Sequence, residues 1–460
     1  MTNPAEGAPP VSDHPENRAA NLLVKCLENE GVEYIFGIPG EENIGVMEAL
    51  LDSSNQFVVT RHEQGAAYMA DVYGRLTGRA GVCMSTLGPG ATNLVTGIAD
   101  ANMDRAPVVA IAGQGATTRM HKESHQILDL VNLFDPISKY SVQIREPEIV
   151  PEIVRKAFKF AQAEKPGAAF IDFPENIADM PSGDHKPLKV QSPLAPCAPR
   201  GKCSRAADLI SKAKNPIIIA GNGVIRHNAS DALVAFAEEI NAPVATTFMA
   251  KGAIPSSHSL SLGTVGLKAH DLVAFGIDEA DLVICVGYDM VEYPPSYWNP
   301  NCDKQIIHVD GSPAEVDTHF IVELGVIGDL QDSMQRMGAR CDREPVQNMK
   351  KLRKKIVKEL NAFEDDVSYP VKPQKIICDI RKALAPEDIV ISDVGAHKMW
   401  MARMYQAERP NTCIISNGFA AMGIALPGAI AAKLVHPERN VVAVCGDGGF
   451  MMNNQEIETA

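Results

Sequence analysis

Six short apolar runs, each ending in glycine or aspartate, constrain the fold of this chain more than any other feature of its sequence. They are PVVAIAGQG (107–115), NPIIIAGNG (215–223), ADLVICVGYD (280–289), KQIIHVDGS (304–312), EDIVISDVG (387–395) and NVVAVCGDGG (440–449). Continuous apolar runs of this length are typical of strands that are buried on both faces, as in parallel sheets. Helix-like stretches such as RAADLISKAK (205–214) lie between them. The alternation predicts doubly wound α/β layers, whose ligands bind at the carboxyl ends of the strands.

Two stretches with little strand or helix periodicity divide the chain. Residues 186–202 contain four prolines, and residues 346–372 join a basic helix-like segment to a polar one, so we predict that both are linkers. The predicted domains are then 18–185, 203–345 and 373–460, after a polar, proline-containing lead at 1–17 that we expect to be disordered. Because the third domain is short and stops within an amphipathic helix pattern, we expect it to be truncated.

Composition and charge argue against several function classes. The 57 acidic and 43 basic residues give a net charge of −14, which disfavours nucleic acid or an anionic membrane as a partner. The N-terminus has no apolar segment typical of a signal peptide, and the longest apolar stretch, 420–435, is too short to span a bilayer. The ten cysteines are scattered, with no CxxC pair or zinc-site spacing. We therefore expect a cytoplasmic protein that binds neither nucleic acid nor membrane.

The strongest chemical pattern is VVAVCGDGGFMMNNQEIETA at 441–460. A strand runs into four residues rich in glycine and then into a helix, an arrangement whose backbone N–H groups and helix N-terminus favour a phosphate. Asp447, at the end of the strand, could place a carboxylate oxygen on Mg²⁺. A tight turn with a capping aspartate would have the same pattern, so this motif alone leaves both interpretations open.

Three further motifs follow predicted strands in the first domain: FGIPGEEN (36–43), VVTRHEQGAAYMADVYGRLTG (58–78) and LGPGATN (87–93). In the second of them, Glu63 comes directly before a predicted helix that starts with small residues. A carboxylate at this position could merely complement the helix dipole. Each motif is weak evidence by itself.

Together and in this order, these motifs resemble the thiamine-diphosphate-dependent family that contains acetolactate synthase, pyruvate oxidase and benzoylformate decarboxylase. The segments FGIPGEEN, TRHEQGAAYMADVYGRLTG, STLGPGATNL, ISNGFAAMGIALPGAI and GDGGFMMNNQEIETA are most similar to acetolactate synthases. The resemblance implies three doubly wound parallel-sheet α/β domains: pyrimidine-binding, central and truncated diphosphate-binding. It also implies the cofactors thiamine diphosphate and Mg²⁺.

The resemblance assigns catalytic roles to three residues. Glu63 would hydrogen-bond N1′ of the aminopyrimidine and promote the tautomer that deprotonates C2 of the thiazolium. Gln126 would lie near the cofactor and the bound intermediate, and Met422 would be the apolar wedge that keeps the cofactor bent. The residues expected to contact the cofactor are Pro39, Gly40, Glu63, Pro89, Asn93, Val394, Gly395, Ala396, His397, Ala420, Met422, Asp447, Gly448 and Gly449. Asp447 would be the metal ligand.

Two departures from the family pattern bear on these assignments. Ala396 stands where glutamine is common, so that cofactor contact is in doubt. The family's second protein ligand to Mg²⁺ lies further along the chain than residue 460, and Asn453 and Asn454 lie too close to Asp447 to replace it. On this interpretation the isolated chain is expected to have little or no activity.

The segment GYDMVEYPPSYWN (287–299) is similar to the flavin-independent, catabolic acetolactate synthases. FAD is therefore not expected, although GNGV (221–224) could still cradle a nucleotide. The resemblance implies a homodimer or homotetramer that decarboxylates pyruvate and joins the remainder to a second 2-keto acid, giving 2-acetolactate for a branched-chain amino acid or acetoin pathway.

Three alternatives remain at this point. The chain could be another thiamine-diphosphate 2-keto acid decarboxylase or carboligase, or an inactive truncated fragment. A nucleotide-binding oxidoreductase would share the α/β layers, but GNGVIR lacks the third glycine of a GxGxxG turn.

Overall fold

Every strand in the three sheets pairs in parallel with its neighbours, as the continuous apolar runs predict. The computed structural model describes residues 17–191, 195–267, 271–341 and 347–460. These residues form two units: one contains the described residues up to 191 with 426–435 and 451–460, and the other contains the described residues from 195 to 425 with 436–450. The predicted α/β class with parallel sheets is confirmed. The predicted disordered lead at 1–17 lies, apart from Asn17, outside the described residues.

The first unit is built on a six-stranded sheet. Its strands are β1 (Tyr34–Gly37), β2 (Gln56–Val59), β3 (Gly81–Ser85), β4 (Val108–Gln114), β5 (Tyr140–Gln143) and β6 (Ala168–Pro174). They are arranged in the order β2-β1-β3-β4-β6-β5. The helices in the same part of the chain are α1 (Ala19–Asn29), α2 (Ile44–Leu50), α3 (Glu63–Thr77), α4 (Pro89–Met103), α5 (Leu130–Phe134), α6 (Val150–Gln162) and α7 (Glu175–Ala178).

The second unit contains two sheets. The six strands of the larger sheet are β7 (Pro216–Ala220), β8 (Val244–Thr246), β9 (Ser261–Thr264), β10 (Leu282–Val286), β11 (Gln305–Asp310) and β12 (Leu324–Ile327). The smaller sheet consists of β13 (Ile389–Ser392), β14 (Cys413–Ile415) and β15 (Val441–Val444). The strand orders are β12-β11-β10-β7-β8-β9 and β14-β13-β15.

The remaining helices complete the chain. They are α8 (Arg200–Lys212), α9 (Gly223–Arg226), α10 (Ser230–Glu239), α11 (Leu272–Asp278), α12 (Leu330–Gly338), α13 (Gln347–Leu360), α14 (Pro373–Ala383), α15 (Ala396–Met404), α16 (Ala425–Val435) and α17 (Asp447–Asn453). Both predicted linkers therefore include helical residues, since α8 begins at Arg200 and α13 at Gln347. Among the described residues, none of the helices is both long and apolar enough to cross a membrane.

Burial follows the sequence pattern at most of the apolar runs. Strands β4, β7, β10 and β13 are buried at every position. The expectation of full burial is wrong for β15, whose four residues are all half-buried. β15 is an edge strand of the smaller sheet, where it pairs with β13.

Strand register brings the predicted motif turns together within each unit. In the first sheet, Gly37 at the end of β1 pairs with Met84 near the end of β3. In the smaller sheet of the second unit, Ser392 at the end of β13 pairs with Val444 at the end of β15. The loops that follow these strands therefore emerge side by side at the carboxyl edge, which is where open α/β sheets bind ligands.

Candidate cofactor site

Glu63 is a buried carboxylate at the first position of helix α3. The preceding residue, His62, caps the helix by accepting a hydrogen bond from the backbone N–H of Gln64 at 3.0 Å. The Glu63 side chain is only 8% exposed, and its Oε2 accepts a hydrogen bond from Asn93 Nδ2 at 2.9 Å. Two residues that we predicted to bind the cofactor are therefore in direct contact, and Asn93 holds the carboxylate in one orientation.

The turns after β1 and β3 pack closely against each other. A Cβ atom on Gly40 would lie 2.6 Å from Cβ of Thr86, so the first turn requires glycine at this position. The Gly40 backbone N–H donates to Asn43 Oδ1 at 2.9 Å, which closes that turn. Pro89 is the first residue of α4, directly after Gly88 with φ +51°. The predicted residues Pro39, Gly40 and Pro89 thus lie on two adjacent turns of the same sheet edge.

Gln126 lies against the second of these turns. Its backbone has φ +58°, a left-handed conformation that is uncommon for a residue other than glycine. A Cβ atom on Gly88 would be 2.9 Å from both Cβ and the carbonyl oxygen of Gln126. The Gln126 side chain is exposed. The structure therefore brings Gln126 next to the Gly88–Pro89 turn, within the same unit as Glu63.

Asp393 organises the turns of the second unit, and sequence reasoning did not select it. Its side chain is fully buried, and Oδ1 accepts hydrogen bonds from the backbone N–H groups of Val394 at 2.7 Å and Gly423 at 2.8 Å. A Cβ atom on Gly449 would lie 2.7 Å from Oδ2 of Asp393. One carboxylate thus contacts three of the predicted cofactor segments. The sequence contained a pattern that could have selected Asp393: it stands at the end of the apolar run VISD, much as Asp447 follows the run VVAVCG.

Glycines and one histidine form a cradle beside Asp393. Cβ atoms on Gly395 and Gly446 would lie 3.0 and 3.1 Å from the ring of His397, so glycine leaves space beside this ring on both turns. His397 Nε2 is buried and has no hydrogen-bond partner within the described residues. Open backbone and a buried ring nitrogen suit a polyanion such as a diphosphate. The residues present therefore fit the diphosphate end of the predicted cofactor.

Met422 points at this glycine turn rather than into a core. Its side chain is 37% exposed, so it is not packed into a hydrophobic core. A Cβ atom on Gly448 would be 3.2 Å from the terminal methyl group of Met422. The preceding Ala420 has φ +58°, and Ser416 Oγ accepts the backbone N–H of Ala421 at 3.2 Å. The loop that carries Met422 is thus held in a specific, strained turn.

Two predicted positions offer less than the motifs suggested. Ala396 begins helix α15 and is exposed, so it presents only backbone where a glutamine is common. Asp447 begins α17 and is also exposed, with its carboxylate available as an oxygen ligand. Over the part of the chain that the structure describes, no group of three His, Cys, Asp or Glu side chains lies close enough to hold a metal ion.

The carboxyl group of Glu292 lies against the glycine turn at 221–224. The backbone N–H of Asn222 donates to both carboxylate oxygens of Glu292, at 3.1 and 3.0 Å. Cβ atoms on Gly221 and Gly223 would lie 2.3 and 2.6 Å from backbone atoms of Gly287. The glycines therefore permit close packing of two backbones, which supports the structural interpretation of this turn over nucleotide binding.

The aromatic residues of GYDMVEYPPSYWN are also structural. Tyr288 donates a hydrogen bond to the carbonyl oxygen of Tyr293 and accepts one from Trp298 Nε1 at 3.2 Å. Both Tyr288 and Trp298 are buried. Burial raises the pKa of Glu292, in the same segment, to about 8, and the charge of Asp289 adds to this rise. The segment thus closes the 221–224 turn from the opposite side.

Three family models match the chain in the predicted order. They are the thiamine pyrophosphate enzyme N-terminal TPP binding domain at residues 17–133, the central domain at 203–337 and the C-terminal TPP binding domain at 393–460. The third match lies within the domain that we expected to be truncated; the truncation stays a prediction.

Curated relatives agree with these models. The chain is 38% identical to a probable acetolactate synthase large subunit of Methanocaldococcus jannaschii, covering 96% of this chain and 78% of the relative. It is 37% identical to an acetolactate synthase of Bacillus subtilis, covering 97% and 79%. A catabolic acetolactate synthase of Raoultella terrigena is 34% identical, covering 96% and 80%. The chain therefore belongs to the thiamine pyrophosphate enzyme family, alongside relatives that carry the name acetolactate synthase.

Proposed function

We propose that the chain is an acetolactate synthase: it decarboxylates pyruvate on thiamine diphosphate and joins the two-carbon remainder to a second pyruvate, giving 2-acetolactate and CO₂. The relatives named acetolactate synthase support this reaction. The observation that carries the proposal is the buried Glu63 carboxylate, held by Asn93 at the edge where the turns after β1 and β3 meet. A buried carboxylate in one fixed orientation suits a group that must hold a proton at a defined atom.

The first unit would provide the proton-handling and pyrimidine contacts. Glu63 would hold the proton at N1′ of the aminopyrimidine, and Asn93 would keep its carboxylate from rotating away. The Gly40 and Pro89 turns would provide a rigid backbone wall for the ring, because close packing with Thr86 and Gln126 fixes both of them. Gln126 would contact the substrate-derived group with its exposed amide.

The second unit would provide the diphosphate and thiazolium contacts. His397 Nε2 would donate to a phosphate oxygen, and the glycines at 395, 446, 448 and 449 would let the backbone approach it closely. Met422, partly exposed above Gly448, would support the cofactor from an apolar side. Thiamine diphosphate, when bound, supplies the electron sink on which the 2-keto acid loses CO₂. The protein's part is to orient it and to exclude water.

Mg²⁺ is proposed with Asp447 as one of its ligands. Mg²⁺ prefers oxygen ligands and is commonly held by one or two carboxylates together with phosphate oxygens. The exposed carboxylate of Asp447, at the start of α17, is compatible with that coordination. Replacing Asp447 by asparagine should raise the Mg²⁺ concentration needed for half-maximal cofactor binding, which a fluorescence titration would measure.

The test is an incubation of the purified chain with pyruvate, Mg²⁺ and thiamine diphosphate, with acetolactate assayed after acid conversion to acetoin. Glu63→Gln should abolish cofactor-dependent product. Glu152→Gln, which changes an exposed glutamate in the first turn of α6, is the matched control and should retain it. Product that survives in Glu63→Gln would sink the proposed role of Glu63. If pyruvate gives no product but another 2-keto acid is decarboxylated, the alternative decarboxylase or carboligase function would replace the synthase.

The flavin-independent, catabolic type is the finer proposal. It is supported by the similarity of the segment 287–299 to that type and by Glu292, whose carboxyl group accepts the Asn222 N–H of the 221–224 turn. The enzyme should purify without the visible absorbance of flavin, and added FAD should not change its rate. A stoichiometric flavin that purifies with the protein would contradict this assignment.

A homodimer or homotetramer is proposed on the family resemblance, in which the first domain of one subunit faces the last domain of another. Light scattering coupled to gel filtration would measure the mass directly. A monomer that is fully active would contradict the proposal.

A further inference from the structure

Glu456 accepts hydrogen bonds from the backbone N–H groups of the two residues just before Glu63, Arg61 and His62. It is fully buried, and its carboxylate accepts hydrogen bonds from the backbone N–H of Arg61 at 3.2 Å and of His62 at 3.0 Å. Thr459 Oγ1 donates to its second oxygen at 2.7 Å. All of these residues belong to the first unit. The carboxylate therefore holds two consecutive N–H groups that lead directly into α3.

The contacts continue on the other side of Glu63. A Cβ atom on Gly65 would lie 2.6 Å from Oε1 of Glu456, so glycine is required for the two to approach this closely. The neighbouring Gln64 accepts a hydrogen bond from Asn453 Nδ2 through its side-chain oxygen at 3.2 Å. The segment 453–459 thus contacts residues 61, 62, 64 and 65. Glu63, which lies between them, is left free to direct its side chain towards Asn93.

These hydrogen bonds should restrain the backbone at the start of α3. The N–H groups around a helix N-terminus have no partner within the helix, and a carboxylate is their strongest acceptor. A negative charge at this end also complements the helix dipole. Because Glu456 is fully buried, water does not compete for these hydrogen bonds. The backbone of the residue that carries the reactive carboxylate is therefore fixed from both sides.

We propose that Glu456 is a positioning residue for Glu63: it holds residues 61–65 so that the Glu63 carboxylate meets the cofactor in its reactive orientation. This inference rests on the proposed function of Glu63. Reaction rates depend steeply on such placement, since a misplacement of about 1 Å can cost about 100-fold in rate. A simple helix cap would affect stability alone, whereas a positioning residue also affects the proton transfer that Glu63 promotes.

The experiment compares Glu456→Gln with wild type and with Glu458→Gln, an exposed glutamate in the same segment. Hydrogen–deuterium exchange of the peptide containing residues 56–70 reports the contact without cofactor. Exchange of the C2 proton of bound thiamine diphosphate, followed by NMR after acid quench, reports the function of Glu63. For Glu456→Gln we expect peptide exchange to rise about threefold or more. We expect C2 exchange to fall about tenfold or more, with cofactor affinity changed less than about twofold.

Glu458→Gln should match wild type in each measurement. Gly65→Ala, whose new methyl group would displace the Glu456 carboxylate, should slow C2 exchange as Glu456→Gln does, and the double variant should be no slower than the worse single variant. Because Gly65→Ala displaces the Glu456 carboxylate without replacing Glu456, the proposal can still be tested if Glu456→Gln does not fold.

Several outcomes would overturn the proposal. Unchanged peptide exchange would mean that Glu456 does not hold residues 61 and 62. Altered peptide exchange with a normal C2 exchange rate would mean that it is only a cap. A loss confined to cofactor affinity would also count against positioning. If the wild type itself fails to accelerate C2 exchange, the 460 residues do not carry the proposed function and the inactive-fragment alternative replaces it, which distinguishes that failure from a failure of Glu456 alone.

Discussion

Arg75 is the centre of a buried charge cluster whose removal tests the packing of the first unit. It lies on α3 and forms ion pairs with Asp71 on the same helix, and with Asp100 at 3.2 Å and Asp104 at 3.0 Å. The three carboxylate side chains are 0% exposed and the guanidinium side chain is 8% exposed. One guanidinium group therefore joins three buried carboxyl groups at the contact between α3 and α4.

Arg75→Met would keep much of the side-chain volume and remove the cation that these carboxylates share. Breaking a buried ion pair by deleting one partner typically costs about 3–5 kcal/mol, because the remaining charge stays buried. We expect the free energy of unfolding to fall by about this amount. The Arg79–Glu33 pair provides the matched control, since its side chains are 44% and 60% exposed. Arg79→Met should cost no more than about 1 kcal/mol.

The pH dependence gives the cluster a second signature. Burial raises the pKa of Asp71, and the positive charge of Arg75 opposes this rise. Without Arg75, the folded state should hold protons on the cluster at pH values where the unfolded chain has released them. By linkage, the stability of Arg75→Met should then increase as pH is lowered from about 7 to about 5.

Urea unfolding followed by circular dichroism, at about pH 7 and about pH 5, would measure both effects. The reasoning would be refuted if Arg75→Met and Arg79→Met lost similar stability. It would also be refuted if the deficit of Arg75→Met were the same at the two pH values.

Three further predictions concern the second unit. Burial, followed by the charge of Asp289, raises the pKa of Glu292 to about 8. The folded state therefore keeps a proton that the unfolded chain releases near the ordinary pKa of glutamate, and the free energy of unfolding should fall as pH rises from about 5 to about 8. Glu292→Gln should flatten this dependence in thermal unfolding scans. Burial lowers the pKa of Lys251 to about 8, so the unfolded chain binds a proton that the folded state has released. The free energy of unfolding should therefore rise with pH between about 8 and about 10, and Lys251→Met should remove that rise in the same scans. A Cβ atom on Gly287, at φ +56°, would lie 2.4 Å from the backbone nitrogen of Val224, so Gly287→Ala should cost more than about 2 kcal/mol in urea unfolding. Gly78→Ala, in the first unit, is the control because Gly78 has φ +68° and open space around it, and it should cost about 1–2 kcal/mol. A loss of stability equal to that of Gly287→Ala would contradict the packing argument.

The sequence alone determined the class of fold and most of the local elements of the site. Continuous apolar runs predict buried parallel strands because both faces must be covered, and the structure confirms this for β4, β7, β10 and β13. The glycine and aspartate residues after these runs predicted where the strands end, because both residue types favour turns. The individual site residues from Pro39 to Asn93 and from Val394 to Gly449 were assigned by the resemblance of these motifs to the thiamine-diphosphate-dependent family.

Tertiary structure alone decided which groups hold these residues in place. Glu292 and Glu456 act through hydrogen bonds to backbone N–H groups. A backbone N–H is present at nearly every residue, so no side-chain pattern reveals which carboxylate accepts from it. Glu456 contacts residues almost 400 positions earlier in the chain, a separation over which no local periodicity operates. The role of the 221–224 turn also depends on tertiary structure. Only the packed structure shows that the Glu292 carboxyl group accepts the N–H of a turn whose sequence would equally suit a phosphate.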